Sequence, residues 1–256
     1  SPSLNAEVFS LNCSIYLFYY STYLGYNPFC MALALYRKYR PTTFEDLLGQ
    51  DLISQILREE ARQNKLAHAY LFAGSRGTGK TTTARLIAKI ANCEKRLSDE
   101  KFMAKGEPCN KCRICLEIDE GKCMDVIEID AASTRGIDDI RDLKENVRVS
   151  PSSARNKVFI IDEAHQLTKD AWNALLKTLE EPPEYVILIL ATTESDRVPA
   201  TIVSRTQQFH FKHISLGTLV QKLKRIAKEE GIDISADALE LVASSAEGSF
   251  RDAESL

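Results

Sequence analysis

Gly74-Ser75-Arg76-Gly77-Thr78-Gly79-Lys80-Thr81 fits the pattern G-x-x-x-x-G-K-[ST] without a mismatch. Those types at that spacing suit one task, holding a chain of phosphates. Glycines let the backbone curl until successive N–H groups point inward at phosphate oxygens. A helix entered at the end of the loop turns its positive N-terminus toward the same anion. Lys80 can reach the β- and γ-phosphates of a nucleotide, and Thr81 can ligate Mg²⁺ through its hydroxyl, so Gly74 through Thr82 are the candidate nucleotide contacts. A second pair of reactive types lies at Asp162-Glu163, directly behind Val158-Phe159-Ile160-Ile161. Asp162 is suited to holding the Mg²⁺ that Thr81 touches, and Glu163 to polarising an attacking water. An acidic strand end can also exist merely to be solvated. Behind four apolar residues and alongside a phosphate loop, the pair reads as chemistry.

A third group is Cys93, Cys109, Cys112 and Cys115, spaced C-x15-C-x2-C-x2-C. Three thiolates within seven residues and a fourth across a loop suit a closed tetrahedral zinc site. Disulfides are the rival, and an iron–sulfur cluster is a further alternative. No signal peptide is evident and the chain has the look of a cytosolic ATPase, which favours reduced thiols. Four thiolates leave no open coordination position, so the expected role is structural. Cys123 reads as a small buried residue, and Cys13 and Cys30 fall in the leader described below.

These groups need elements to carry them. Asp51–Lys65 reads as a helix, with Leu52, Ile53, Ile56 and Leu57 on one buried face. Tyr70–Ala73 is an apolar strand before the phosphate loop, and Thr82–Ala91 a helix after it, the context a phosphate loop requires. The Cys-rich stretch 93–123 interrupts the pattern. Strands follow at Val126–Ile129, Lys157–Ile161, Tyr185–Leu190 and Gln207–Phe211, with helices at Ile137–Val147 and Lys169–Leu179. Glu181-Pro182-Pro183 stops the latter helix. Uninterrupted apolar strands between helices predict an α/β fold with a parallel sheet covered on both faces. After His213 only helices are predicted: Leu216–Glu229, Ala236–Ala246 and Phe250–Leu256, punctuated by Gly231 and Gly248.

The bulk composition excludes little. Net charge is −3 over 256 residues, so any contact with nucleic acid needs a local basic face or basic partners. Residues 1–30 hold 8 of the 20 aromatics and Glu7 as their one charged side chain, unlike the remainder, and read as a non-native or unstructured leader. Polar residues and Pro28 interrupt the apolar run there, and no basic n-region precedes it, so neither a membrane span nor a signal peptide is predicted. Ser249–Leu256 opens a helix without a C-cap signal, and the expectation is that the chain is a fragment of something longer.

Met31–Leu256 resembles the N-terminal region of the tau/gamma family of bacterial DNA polymerase III, the AAA+ ATPases of the replicative clamp loader. The residues that carry the likeness include Tyr39-Arg40-Pro41, Gly49-Gln50, His68-Ala69-Tyr70-Leu71-Phe72, Glu128-Ile129-Asp130-Ala131-Ala132-Ser133, Asp162-Glu163-Ala164-His165 and Asn173 through Pro183. The four-cysteine insert is the most specific feature, since related motors generally lack it. The resemblance implies an AAA+ nucleotide-binding domain over 31–213, a zinc module at 93–123 and a truncated helical lid over 214–256. It places Thr193 as the sensor 1 residue beside the γ-phosphate and Arg205, in Ser204-Arg205-Thr206, as an arginine acting in trans on a neighbouring subunit's ATP. The family has Ser-Arg-Cys at the latter motif; Thr206 departs from it and leaves the arginine in place. Arg251 matches the sensor 2 arginine, and Arg40, Pro41 and Gly49-Gln50 look like part of an adenine-side wall. Without the family, Arg205 would read as a surface charge and Arg251 as a partner for Asp252 or Glu254.

The implied activity is ATP-driven loading of a sliding clamp onto primed DNA, with ATP, Mg²⁺ and Zn²⁺ as cofactors. The implied partners are other clamp-loader subunits in a hetero-oligomeric ring, the clamp, primed DNA, and the polymerase core through a missing C-terminal region; no membrane is involved and the location is cytoplasmic. The family is catalogued under DNA polymerase activity, a nucleotidyl transfer, yet nothing here resembles a polymerase site. Two alternatives differ in class. A nucleotide-binding scaffold without turnover is opposed by the intact Lys80, Thr81, Asp162 and Glu163. Another AAA+ machine, such as a Holliday-junction motor, is opposed by the cysteine insert and Ser204-Arg205.

Overall fold

A computed structural model of the chain describes residues 34–133, 143 and 145–256. The leader and most of the helix expected at Ile137–Val147 lie outside the described residues. The chain forms two units, 1–38 and 39–256. In the first, the described residues form a short helix, α1, Leu35–Lys38. The second carries the sheet and every candidate site residue among those described.

Five parallel strands form the sheet: β1 Ala69–Ala73, β2 Val126–Asp130, β3 Lys157–Asp162, β4 Val186–Thr192 and β5 Gln207–His210, in the order β2-β3-β4-β1-β5. Parallel neighbours need crossovers, and side chains that alternate between faces must then be covered on both. Tyr70, Phe72, Val158, Ile160, Ile187 and Ile189 fill one face with Ile87 and Leu86 of α3, Lys80–Asn92. Leu71, Phe159, Ile161, Leu188 and Leu190 fill the other with Trp172, Leu175 and Leu179 of α7, Lys169–Glu180. β1 and β4 are buried throughout, whereas edge strand β2 is only partly covered.

Helix α2, Asp51–Gln63, buries Ile53, Ser54, Leu57 and Ala61. Leu52 and Ile56, expected on that face, are 67% and 38% exposed. Each lies one residue, about 100° of helical turn, away from the i, i+4 stripe Ile53–Leu57–Ala61 that meets the core. Between Cys93 and Cys123 the chain forms three short helices that its periodicity did not predict: α4 Glu94–Ser98, α5 Glu100–Met103 and α6 Arg113–Glu120. α6 buries Ile114, Cys115 and Ile118 in the core, while a polar anchor helps hold the short α4 and α5. Arg96, 3% exposed, donates to the carbonyls of Ile90, Met103 and Ala61.

Beyond α8, Ala200–Val203, and β5, the chain is helical: α9 Leu216–Glu230, α10 Ala236–Ser245 and α11 Phe250–Ala253. Ser215, Ser235 and Ser249 each cap the following helix, accepting from Thr218, Ala238 and Asp252 N–H, a hydroxyl role that satisfies an otherwise orphan donor. Ile214, Leu219, Ala243, Ala246 and Ala253 make a small core of their own. Among the described residues no helix is long and apolar enough to cross a membrane.

Candidate functional site

In an open parallel sheet, ligands bind beyond the carboxyl ends of the strands. β1, β4 and β3 are adjacent, so the segments leaving them converge there: the loop from Gly74, Thr193 after β4, and Asp162-Glu163 at the end of β3. Gly74 donates to the Thr192 carbonyl at 3.2 Å, and a Cβ on it would stand 2.6 Å from the Phe211 carbonyl oxygen. Gly77, at φ +73°, has Ser249 against it, with Oγ 1.9 Å from the place of a Cβ, while Phe250 N–H donates to the Gly77 carbonyl at 3.1 Å. The start of α11 is thus seated on the phosphate loop.

Thr78, 1% exposed, closes the loop by donating to the Ser75 carbonyl at 2.8 Å. Gly79 precedes α3, whose first residue is Lys80, so the helix N-terminus faces into the loop. The Lys80 ammonium donates to the Gly74 and Ser75 carbonyls at 2.7 and 2.9 Å. Burial pulls its pKa down, while Asp162 and Glu163 act the other way. Thr81 Oγ1 donates to Asp162 Oδ2 at 2.8 Å. Hydroxyl and carboxylate therefore meet at one point, the donor set a hard divalent cation takes, and Mg²⁺ fits it. Arg76 is exposed and Thr82 half-buried on the helix.

Glu163 is anchored at both ends: its N–H donates to Asp162 Oδ1 at 2.9 Å and its Oε2 accepts from Thr193 Oγ1 at 3.0 Å. Beside it is His165, whose side chain is 4% exposed. Its Nδ1 lies 3.2 Å from Thr192 Oγ1 and 3.4 Å from Glu163 Oε2, and its Nε2 lies 3.1 Å from Glu194 Oε1. In sequence His165 is only one member of the run Asp162-Glu163-Ala164-His165; its place depends on β4, which no local pattern reveals. Gln50 is similar. It is 3% exposed, donates to the carbonyls of Lys212 at 2.8 Å and Thr78 at 3.4 Å, and accepts from Lys212 N–H at 3.2 Å.

The arginines stand differently. Arg205 binds the Thr201 carbonyl at 2.7 Å and Glu180 Oε1 at 2.9 Å, contacts that belong to α8 and α7 rather than to the phosphate loop. Arg251 is exposed on α11. Arg40 and Pro41 are half-buried; burial pushes the Glu254 carboxyl up, and Lys222 and, after it, the Arg40 charge oppose the shift. Gly49, φ +75°, faces Ile214, whose Cδ1 is 3.0 Å from the place of a Cβ.

Sulfurs of Cys93, Cys109, Cys112 and Cys115 all lie within 4.8 Å of one another. All are free thiols. Four sulfurs about 2.3 Å from a zinc ion stand roughly 3.8 Å apart in a tetrahedron, so the cluster fits that ion with slight contraction. Backbone N–H groups of Lys111 and Cys112 donate to Cys109 Sγ at 3.4 and 3.2 Å, wrapping the chain around the sulfur. The Cys115 thiol and, more weakly, the Cys109 N–H stabilise a Cys93 thiolate, pulling its pKa down against burial. Cys123 stands apart, buried in the core.

The family model described as "DNA polymerase III, delta subunit" matches residues 49–215, and that of the "DNA polymerase III clamp loader subunit, ATPase lid domain" matches 218–256. The chain is 50% identical to DNA polymerase III subunit tau of Bacillus subtilis over 87% of its length, covering 38% of that protein. It is 47% identical to subunit tau of Escherichia coli over 87% of its length, covering 33% of that protein. The chain thus spans about a third of the length of these curated relatives. Among solved structures, the RuvB Holliday junction branch migration motor of Thermotoga maritima superposes with a TM-score of 0.59 at 20% identity, over 84% of this chain and 62% of that one. That likeness concerns fold alone: the sheet, its covering helices and the helical lid are of the AAA+ type.

Proposed function

The chain belongs to the tau/gamma family of bacterial DNA polymerase III clamp-loader subunits, and from that premise we propose that it is an ATP-hydrolysing motor subunit that helps load a sliding clamp onto primed DNA. The observation that carries the reading is the meeting of Thr81 and Asp162 at the mouth of the Gly74–Lys80 loop. In this reading residues 31–213 bind the nucleotide and 214–256 form the lid. Gly74, Ser75, Gly77, Thr78 and Gly79 present backbone to the phosphates, and Lys80 turns from the loop carbonyls to the β/γ-phosphate charge. Thr81 and Asp162 hold Mg²⁺, which neutralises charge on the transferring phosphoryl group. Glu163 orients the attacking water by accepting its hydrogen bond, with Thr193 placing the carboxylate. Arg251 reaches the same nucleotide from the lid, and Arg205 acts on the nucleotide of a neighbouring subunit. Cys93, Cys109, Cys112 and Cys115 hold a structural zinc. The full-length protein works in the cytoplasm within a hetero-oligomeric ring that meets the clamp, primed DNA and the polymerase core.

Direct titration of the chain with Mg-ATP tests the reading. Lys80→Ala is expected to weaken binding by about a hundredfold or more, since a charge-assisted bond to phosphate is lost from a buried site. Unchanged affinity in that variant removes the loop from the nucleotide site.

A further inference from the structure

Two residues of the cysteine module, Glu107 and Asn110, reach from the sulfur centre to the 42–46 turn. Glu107, two residues before Cys109, accepts from the backbone N–H of Phe44 at 2.8 Å and of Glu45 at 3.2 Å, and pairs with Arg58 Nε of α2 at 3.0 Å. Burial pushes this carboxyl up, and the two N–H donors and Arg58 oppose the shift. Asn110 sits inside the Cys109–Cys112 turn with φ +54°. Its Nδ2 donates to the Thr42 carbonyl at 2.9 Å, and its Oδ1 accepts from Lys89 Nζ at 3.0 Å. Lys89 is 1% exposed and belongs to α3, the helix that opens with Lys80.

The turn held by these two residues runs on to the phosphate loop. Thr43 Oγ1 donates to Asp46 Oδ2 at 2.6 Å and closes the turn, and the buried Phe44 accepts at its carbonyl from Ser54 Oγ at 2.7 Å. Leu47 follows, 3.6 Å from where a Cβ on Gly79 would stand, and then Gln50, bonded to the Thr78 carbonyl. Glu107 and Asn110 therefore connect, through the turn at 42–46 and then Leu47 and Gln50, to Thr78 and Gly79 of the loop. The geometry of the sulfur turn matters as well. Two N–H groups directed at Cys109 Sγ tighten the backbone so that residue 110 is left-handed, a conformation asparagine tolerates better than most side chains. Closing the sulfur centre and presenting Asn110 are thus one event.

We propose that Glu107 and Asn110 are positioning residues that brace the 42–46 turn against the phosphate loop, so that the closed cysteine module sets how tightly the loop holds a nucleoside triphosphate. The proposal rests on the reading of Gly74–Thr81 as the ATP cradle. A loop already fixed in its binding shape spends less of its interaction energy on ordering itself.

Asn110→Gly keeps the left-handed turn and removes both side-chain bonds; Glu107→Gln lies outside the sulfur turn and removes the charge and one of two accepting oxygens. Both are compared with the parent by Mg-ATP titration, elemental zinc analysis and amide exchange at Phe44 and Glu45 in the absence of nucleotide. Expected are unchanged zinc, an ATP Kd raised about tenfold in Asn110→Gly and about threefold in Glu107→Gln, and at least tenfold faster exchange at Phe44 or Glu45 in Glu107→Gln, where one of the two amides loses its acceptor. Ile118→Val, which thins the core under α6 without touching the brace, should leave ATP affinity as in the parent. Affinities within twofold of the parent in both brace variants, or an equal loss in Ile118→Val, overturn the proposal. If the parent binds no ATP, the cradle reading fails by itself; amide exchange then decides the brace, and unaltered exchange at Phe44 and Glu45 sinks it.

Discussion

Glu163 adopts φ +47°, a left-handed backbone that costs a non-glycine residue roughly 1–2 kcal/mol and that tends to persist where the surroundings over-determine it. Here Asp162 Oδ1 holds the backbone and Thr193 the carboxylate, which fixes the direction in which a water could be oriented. Glu163→Gln retains an oxygen for the Thr193 hydroxyl and loses the basic group. ATP affinity is expected to stay within about twofold while hydrolysis in an assembled ring falls about a hundredfold or more, the usual weight of general-base assistance. Hydrolysis at the parental rate would remove Glu163 from that role. That the loop, Asp162 and Glu163 converge at one edge of the sheet was legible in sequence, because phosphate and metal chemistry demand fixed types at fixed spacing. The contacts of His165 and Gln50 were not, because each acquires them from elements distant in sequence: Thr192 on β4 for one, Thr78 and Lys212 for the other.

At the scale of elements, the apolar strands were readable to within one or two residues, since β1, β3 and β4 are buried on both faces and leave continuous runs. Helices α4–α6 were not readable. α4 and α5 span one turn or so and are held by polar contacts such as those of Arg96, which leave no period, and the eight residues of α6 show its Ile114–Ile118 stripe only once. Loss of one sulfur should therefore loosen a whole module. Cys112→Ser is expected to reduce bound zinc well below one per chain and to lower the melting temperature, with ATP still bound but more weakly. Elemental analysis and a thermal scan check this, and stoichiometric zinc in a Cys112/Cys115 double variant would place the ligands elsewhere. The contact between the loop and α11 makes a second element-scale expectation. Gly77→Ala puts a methyl 1.9 Å from Ser249 Oγ at a residue with φ +73°, so α11 must move off the loop. A loss of about 1–3 kcal/mol in unfolding free energy is expected from the strain and overpacking. Denaturant titration giving the parental midpoint would show that loop and helix part without cost.

For the whole molecule, the separation of Arg205 from the chain's own loop is the decisive arrangement. Its partners are Thr201, Ser204 and Glu180, so removing it leaves Lys80, Thr81 and Asp162 as they are. Arg205→Ala in the full-length protein should retain ATP binding and lose about 10³-fold or more of ring hydrolysis, the scale of an arginine finger. Mixed rings of Arg205→Ala and Lys80→Ala chains should recover hydrolysis, one supplying the nucleotide and the other the arginine. Failure of recovery in rings shown to assemble defeats the trans assignment. The strand order carries a consequence for biosynthesis. β1 lies inside the sheet, yet Ala69 pairs with Leu188 and Tyr70 with Gln207. At roughly 5–20 residues per second, a nascent chain waits about 6–24 s between making Ala69 and making its first neighbour on β4. Through that interval Ala-Tyr-Leu-Phe-Ala, buried at every position in the finished sheet, has no strand beside it on the ribosome. The cysteine module is complete by Cys123 and can close on α3 while the wait lasts, whereas β1 stays without a strand partner until β4 is made.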